Sequence, residues 1–322
     1  MKKILILLTL TSLFFITSCE LFMEEPKQGD VYYINVGLDY KNNGISKEAE
    51  KDNLDGTVND AKELHKTFKA LMLETSRTGH GLLMVQDEKN IPADPLSYPS
   101  KDNILTQLSS LKGKAKENDL TIFTYSGHGV EGTGTLVFAT ATEDQAPIPS
   151  DYMDVSDLLS LMAQIPGKKL VILDSCFSGM AVEESPSSTN TVLNNSISKF
   201  FETYYSSNQY EKPDLYVLTA SAHADSYEMK FGTDANAHYH GVFTYALLEA
   251  LGWDHPHNTD ISTVSPQAPP AAKGGRITVD GLFRYVKKNQ ALNTRLKLFS
   301  KWSEFQHPLT TGGPLDLVLF NL

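Results

Sequence analysis

Short runs rich in β-branched and aromatic residues alternate along this chain with longer stretches whose apolar residues recur at helical spacing. That alternation constrains the fold more than any other feature, because strands and helices in strict succession build a largely parallel sheet covered by helices. "VYYINVGLDY" (31–40), "GLLMVQD" (81–87), "DLTIFTYSGHG" (119–129), "KKLVILDSC" (168–176) and "DLYVLTAS" (214–221) read as strands, and "LDLVLF" (315–320) as the strand that closes the sheet. In "NLDGTVNDAKELHKTFKALM" (53–72), Val58, Ala61, Leu64, Phe68, Leu71 and Met72 share one helical face. "SKDNILTQLSSLKGKA" (100–115) reads as a helix capped by Ser100 or Asp102. "VSDLLSLMAQI" (155–165), "GVFTYALLEAL" (241–251) and "TVDGLFRYVKKN" (278–289) read as further helices. Runs such as "LVIL" and "TIF" lack polar alternation, which suits strands covered on both faces. The predicted class is therefore α/β, with a mostly parallel central sheet flanked by helices on both faces.

The pattern is interrupted at 92–99, a proline-punctuated loop, and at two longer segments rich in Ser, Asn, Pro or Ala, 183–213 and 262–275, which read as surface loops. No internal repeat is visible. The strand pattern resumes after 183–213, so residues 31–322 read as one domain, and 322 residues are enough to bury a sizeable core. A formal charge of -11 argues against a nucleic-acid partner, which would favour a basic surface.

The first residues have a different character. Met1-Lys2-Lys3 is a positive segment, and Ile4 to Ile16 is an apolar run too short to cross a bilayer comfortably. "ITSC" (16–19) resembles the lipobox of bacterial lipoproteins. The resemblance implies that 1–18 is a signal peptide, that Cys19 carries a lipid anchor, that 19–30 is a tether, and that the domain sits in a bacterial cell envelope, periplasmic or surface-facing. An ordinary signal peptide cut nearby is the alternative. Two cysteines in an exported protein would otherwise suggest one disulfide. If Cys19 is lipidated, Cys176 has no such partner in the chain.

Ligands of open α/β sheets gather at the carboxyl ends of the strands. Two predicted strand ends carry chemistry: His128 on a Gly-His-Gly turn, and Cys176. A thiolate is the nucleophile in such a pair, and a nearby histidine lowers its pKa and shuttles the proton. The backbone N–H groups of Gly129 and Cys176 are candidates for an oxyanion hole.

"YSGHG" (125–129) and "DSCFSG" (174–179) resemble the histidine and cysteine motifs of metacaspases, the caspase-fold cysteine peptidases of bacteria, plants and protists. "LDGTVNDAKEL" (54–64), "TASAHADSYE" (219–228) and "HGVFTYALLEAL" (240–251) resemble further segments of that family, in the same order. His128 precedes Cys176 by 48 residues, close to the spacing of roughly 50 in caspases. The departure from animal caspases lies around the cysteine, where Asp174 stands two before it and Gly179 three after it. The resemblance implies a caspase-like fold, a dyad of His128 and Cys176, and an acidic primary specificity pocket formed by Asp60, Ser126 and Asp174. Independently, Asp174 in an extended segment shares a side with position 176, and an acid there suits a cationic substrate side chain. An acid at Asp60 also suits the start of a helix. Both carboxylates are expected to be ionised near neutral pH.

The implied activity is endopeptidase cleavage after Arg or Lys, on protein or peptide substrates. A silent caspase-fold binding module, and a self-processing or transpeptidase-type enzyme, stand as alternatives. Some metacaspases need calcium, and Glu143, Asp144, Asp151, Asp154 and Asp157 lie between the two motifs, but their spacing matches no defined calcium loop. His223, His238 and His240 cluster in sequence without zinc-ligand spacing. No cofactor or metal site is therefore assigned.

Overall fold

Val31–Leu38 (β1) is buried along nearly its whole length, as an apolar run without alternation requires. It pairs in parallel with Gly79–Gln86 (β2) on one side and with Leu120–Val130 (β3) on the other. β3 pairs in parallel with Lys168–Cys176 (β6), and β6 with Leu215–Thr219 (β7). The computed structural model describes residues 27–41, 53–86, 94–130, 135–139, 147–176, 214–220, 226–231, 237–253, 269–288, 309–312 and 316–322. Segment 183–213, Cys19, and the first part of 262–275 lie outside the described residues.

Helices cover both faces. Thr57–Glu74 (α1) lays Leu64, Phe68 and Leu71 against Val31, Tyr33, Ile122 and Ile172, together with Val242–Ala250 (α4) and Val279–Lys288 (α5). Lys101–Leu111 (α2) and Val155–Ala163 (α3) pack on the other face, against Ile34, Val36, Phe123, Val171 and Val217. Alternate strand residues thus feed two separate apolar layers, the arrangement the alternation predicts. Ser100 is the cap of α2, its hydroxyl accepting from the Asn103 N–H at 3.3 Å.

The sheet closes differently from the expectation. Residues 315–320 were to close it, but Val318–Asn321 (β12) pairs antiparallel with Arg276–Thr278 (β10) in a separate two-stranded sheet. The edge strand is Leu309–Gly312 (β11), antiparallel to β7. "LTTG" is short and polar, and an edge strand needs only one bonded side, so its sequence carries no strand signal. Two short ribbons also have no sequence signature. Thr135–Val137 (β4) and Tyr152–Asp154 (β5) pair antiparallel beside the end of β3, and Glu228–Phe231 (β8) pairs with His238–Gly241 (β9).

Strand order is β2-β1-β3-β6-β7-β11. The order reverses between β1 and β3, and it is at such a point, beyond the carboxyl ends, that α/β sheets form crevices.

Candidate active site

The carboxyl ends of β3 and β6 run in register: Ser126 lies opposite Asp174, Gly127 opposite Ser175, and His128 opposite Cys176. The backbone brings the two motif centres to neighbouring positions at one strand end.

Asp60 arrives from α1. Gly37 on β1 lets that helix approach closely: a Cβ there would meet the Thr57 carbonyl oxygen at 2.4 Å. Thr57 Oγ1 donates to the Leu38 carbonyl at 2.6 Å, tying the first turn of α1 to the end of β1. The first turn therefore delivers Asp60 to the strand ends, where Ser126 Oγ donates to its Oδ2 at 2.8 Å. The three pocket residues named from sequence are thus brought into one acidic recess, each 5% exposed or less.

Each carboxylate is held by several donors. Asp60 also accepts from the Gly241 N–H at 3.2 and 3.1 Å, and its Oδ1 lies 2.8 Å from His240 Nδ1. Asp174 accepts from Ser226 Oγ at 2.5 Å, from Thr244 Oγ1 at 2.6 Å and from the Thr244 N–H at 3.1 Å. Thr244 lies in the first turn of α4, so Asp174 also sits at a helix N-terminus. Gly241 allows this convergence, because a Cβ there would meet Asp174 Oδ2 at 2.2 Å and Asp60 Oδ2 at 3.0 Å.

Burial opposes charge in this recess. It pushes Asp60 well above the ordinary carboxylate value, and the neighbouring charge of Asp174 pushes it further. Burial also raises Asp174, against the hydrogen bonds from Ser226 and Thr244 that favour its charged form. Burial therefore opposes the ionised form of both acids, while the hydrogen bonds from Ser126, Gly241, Ser226 and Thr244 favour it.

Three further residues belong to the recess. Glu228 of β8 lines it and accepts from the Asp55 and Gly56 N–H groups at 2.9 and 3.0 Å, where α1 begins. Desolvation, then the charges of Asp60 and Asp174, raise its carboxyl to about 7. His240, fully buried, faces Asp60 through Nδ1 and Glu63 Oε2 through Nε2 at 3.6 Å. Burial lowers the His240 pKa, and burial raises Glu63 to about 7. The open volume among Leu54, Thr57, Ser126, Gly127, Asp174, Ser226, Glu228 and Gly241 is ≈ 10 Å³, about one water.

His128 is partly exposed. Its imidazole stacks on the Tyr40 ring, with centroids 4.6 Å apart and planes 29° apart. Gly129 follows it in register with Leu136 of β4. Of the acids considered for calcium, Glu143 and Asp144 lie outside the described residues; Asp151 Oδ2 accepts from the Ile148 N–H, and Asp154 and Asp157 flank the start of α3. Among the described residues, no group of three or more His, Cys, Asp or Glu is arranged to hold a metal ion. His223 lies outside them too.

A recess of buried acids thus lies at the carboxyl end of the sheet, two register positions from where a histidine stands opposite a cysteine. Residues 40–267 match the family described as the caspase domain, and this chain belongs to that family. Metacaspase-1 of Botryotinia fuckeliana is 30% identical over 152 residues, which cover 44% of this chain and 34% of that protein. Metacaspase-2 of Arabidopsis thaliana is 27% identical over 169 residues, covering 49% of this chain and 37% of that one. The matched stretch thus spans about a third of each relative's length. A solved structure of pro-Sf-caspase-1 superposes over 90% of this chain and 93% of its own at 14% identity, with a TM-score of 0.46.

Proposed function

We propose that this chain is a cysteine endopeptidase that cleaves protein or peptide substrates after Arg or Lys. The observation that carries the reading is the acidic recess of Asp60, Ser126 and Asp174, two register positions from His128 and Cys176. His128 takes the thiol proton of Cys176, and the thiolate attacks the scissile carbonyl carbon. The N–H groups of Gly129 and Cys176 stabilise the oxyanion that forms. His128 then protonates the leaving amine, and water hydrolyses the thioester. The charge of the substrate cation favours ionisation of Asp60 and Asp174, forming charge-assisted hydrogen bonds.

Turnover of matched peptides carrying Arg, Lys, Asp or Asn before the scissile bond tests this. Arg and Lys peptides are expected to be cleaved and Asp peptides rejected. A preference for Asp, or no turnover with an unreactive Cys176, would overturn the reading. The same reading needs no cofactor; undiminished turnover in the presence of a calcium chelator is the expected result.

The motif "ITSC" supports a lipid anchor on Cys19 and a place in a bacterial cell envelope. Cys19→Ser is expected to release the protein from the membrane fraction, because stable anchoring needs more than one acyl chain. Mass spectrometry finding Cys19 unmodified in the mature protein would exclude the anchor.

A further inference from the structure

The backbone of His128 is held in an unusual way. β1 keeps register with β3 only as far as Gly37 opposite Ser126, and the chain then turns through Asp39 and Tyr40. In a parallel ladder the N–H and C=O of one residue face the same neighbouring strand. For His128 those two groups meet phenols instead. Its N–H donates to Tyr40 Oη at 2.8 Å, and its carbonyl accepts from Tyr125 Oη at 2.6 Å. Tyr40 Oη donates in turn to the Val137 carbonyl of β4 at 2.8 Å; Tyr125 Oη shares its proton between the His128 carbonyl and that same carbonyl, 2.7 Å away, and the two phenol oxygens lie 3.1 Å apart. Tyr40 is 1% exposed, and its ring stacks on the imidazole.

Tyr40 also has φ 59°, in the left-handed region that a bulky residue avoids. Such a conformation persists only where the surroundings over-determine it, and such residues cluster at functional sites. Here the surroundings are the carbonyl of Val137, the N–H of His128 and the stacked imidazole.

We propose that Tyr40 is the positioning residue of the dyad, with Tyr125 as a second strut. Its hydroxyl replaces the missing strand beyond the end of the β1–β3 ladder, and its ring fixes the plane of the imidazole. This rests on the peptidase reading. A tyrosine that merely filled the core would tolerate loss of its hydroxyl without a specific effect on turnover. A positioning tyrosine does not, because the His128 N–H loses its acceptor while the ring stays.

The test uses the full-length protein and the variants Tyr40→Phe, Tyr125→Phe and Tyr40→Leu. Two readouts are needed: kcat and KM on an Arg peptide, and the pH dependence of Cys176 alkylation by iodoacetamide, followed on the Cys176 peptide by mass spectrometry. Titratable neighbours are the phenols of Tyr40 and Tyr125 and, in register across β6, residue 176; Asp39 and Tyr152 act on the Tyr40 phenol. Tyr40→Phe is expected to lower kcat about 10- to 100-fold, with KM and the acid limb of alkylation unchanged, as a small misplacement of a catalytic group does. Tyr125→Phe is expected to lower kcat less, because the His128 carbonyl tolerates hydration. Tyr40→Leu is expected to raise the acid limb by roughly half a pH unit, because an aromatic face supports the imidazolium. Wild-type kcat in Tyr40→Phe would overturn the proposal even if Tyr40→Leu fails to fold. Absence of turnover by the wild type, with Cys176 alkylated as a free thiol, would remove the peptidase reading and this one with it; a reactive wild type with an indifferent Tyr40→Phe would remove this one alone.

Discussion

At the recess, Asp60 and Asp174 are held by their side chains: five donors, from Ser126 of β3, Ser226 before β8, Gly241 of β9 and Thr244 of α4, converge with the His240 ring nitrogen on two carboxyl groups that water scarcely reaches. Two residues further along the same strands, His128 is held by its backbone and by one stacked ring, with its imidazole partly open to solvent. The first region holds two carboxyl groups away from water among several short contacts. The second fixes the direction of a ring that stays partly exposed. A buried acid that loses a donor is left with an unsatisfied group, whereas a backbone clamp that loses a donor lets a reactive ring drift.

That contrast can be broken from either end. The largest effect is expected at the strand ends: Cys176→Ala and His128→Ala should each reduce hydrolysis by at least about a thousandfold, since a dyad acts as a unit. Melting temperatures should stay within about 2 °C of wild type if the loss is one of chemistry and not of fold. Retained turnover in a clean Cys176→Ala preparation would end the comparison outright.

At the recess, Asp174→Asn should lower kcat/KM for Arg and Lys peptides by roughly 30-fold or more, since losing one partner of a buried charge pair costs on the order of 2–5 kcal/mol. A peptide with a neutral residue at that position should be affected far less. An equal loss on both peptides would show that Asp174 supports the fold and not the choice of substrate.

A smaller effect is expected from Gly241→Ala. The added Cβ displaces Asp174 and Asp60 without removing either charge. KM for Arg peptides should rise several-fold with kcat nearly kept, measured against the neutral peptide; an unchanged KM would mean the carboxylates can shift freely.

The smallest effect is a pH slope. Glu228 and Glu63 have carboxyl pKa values near 7, raised from 4.5 by burial. Between about pH 4.5 and 7 the folded chain therefore binds protons that the unfolded chain has released, so these two groups stabilise the fold fully at the acid end of that window. Their contribution falls as pH rises to about 7 and is flat above it. Substrate preference should move the other way: as Glu228 ionises between pH 6 and 8, KM for Arg should fall relative to the neutral peptide. Glu228→Gln should flatten that trend, and a trend unchanged in this variant would assign it to another group.

The legible parts of the molecule are those with local signatures. The β3 and β6 runs are continuous and apolar, α1 shows its face in Val58, Leu64, Phe68 and Leu71, and the helices fall on both sides of the sheet. "NDA", "YSGHG" and "DSC" point to residues that the fold brings together, although they lie up to 114 positions apart. Glu228 and His240 were not legible as part of the recess. Each reaches Asp60 or the start of α1 from about 170 to 180 residues away, on strands of four residues that are too short to show a period. His240 stood out as the first residue of a family-like segment and as one of three clustered histidines, a pattern that suggests a metal, whereas the structure sets it against Asp60 and Glu63. β11 was missed because its only requirement is one bonded side, and "LTTG" meets that without apolar residues.

The register between β3 and β6 has a consequence for how this chain folds. Their partners lie 48 residues apart, so the pairing must be found across a long closure before any contact rewards it. A slip of one residue would set Asp174 opposite Gly127 and turn the whole β6 set to the other face. Because the recess and the dyad are read off the same ladder, a misregistered chain loses both at once. Helices can form early and locally, but this ladder requires β6 to find β3 in one register, and β3 must also pair with β1, whose partners lie 89 residues away.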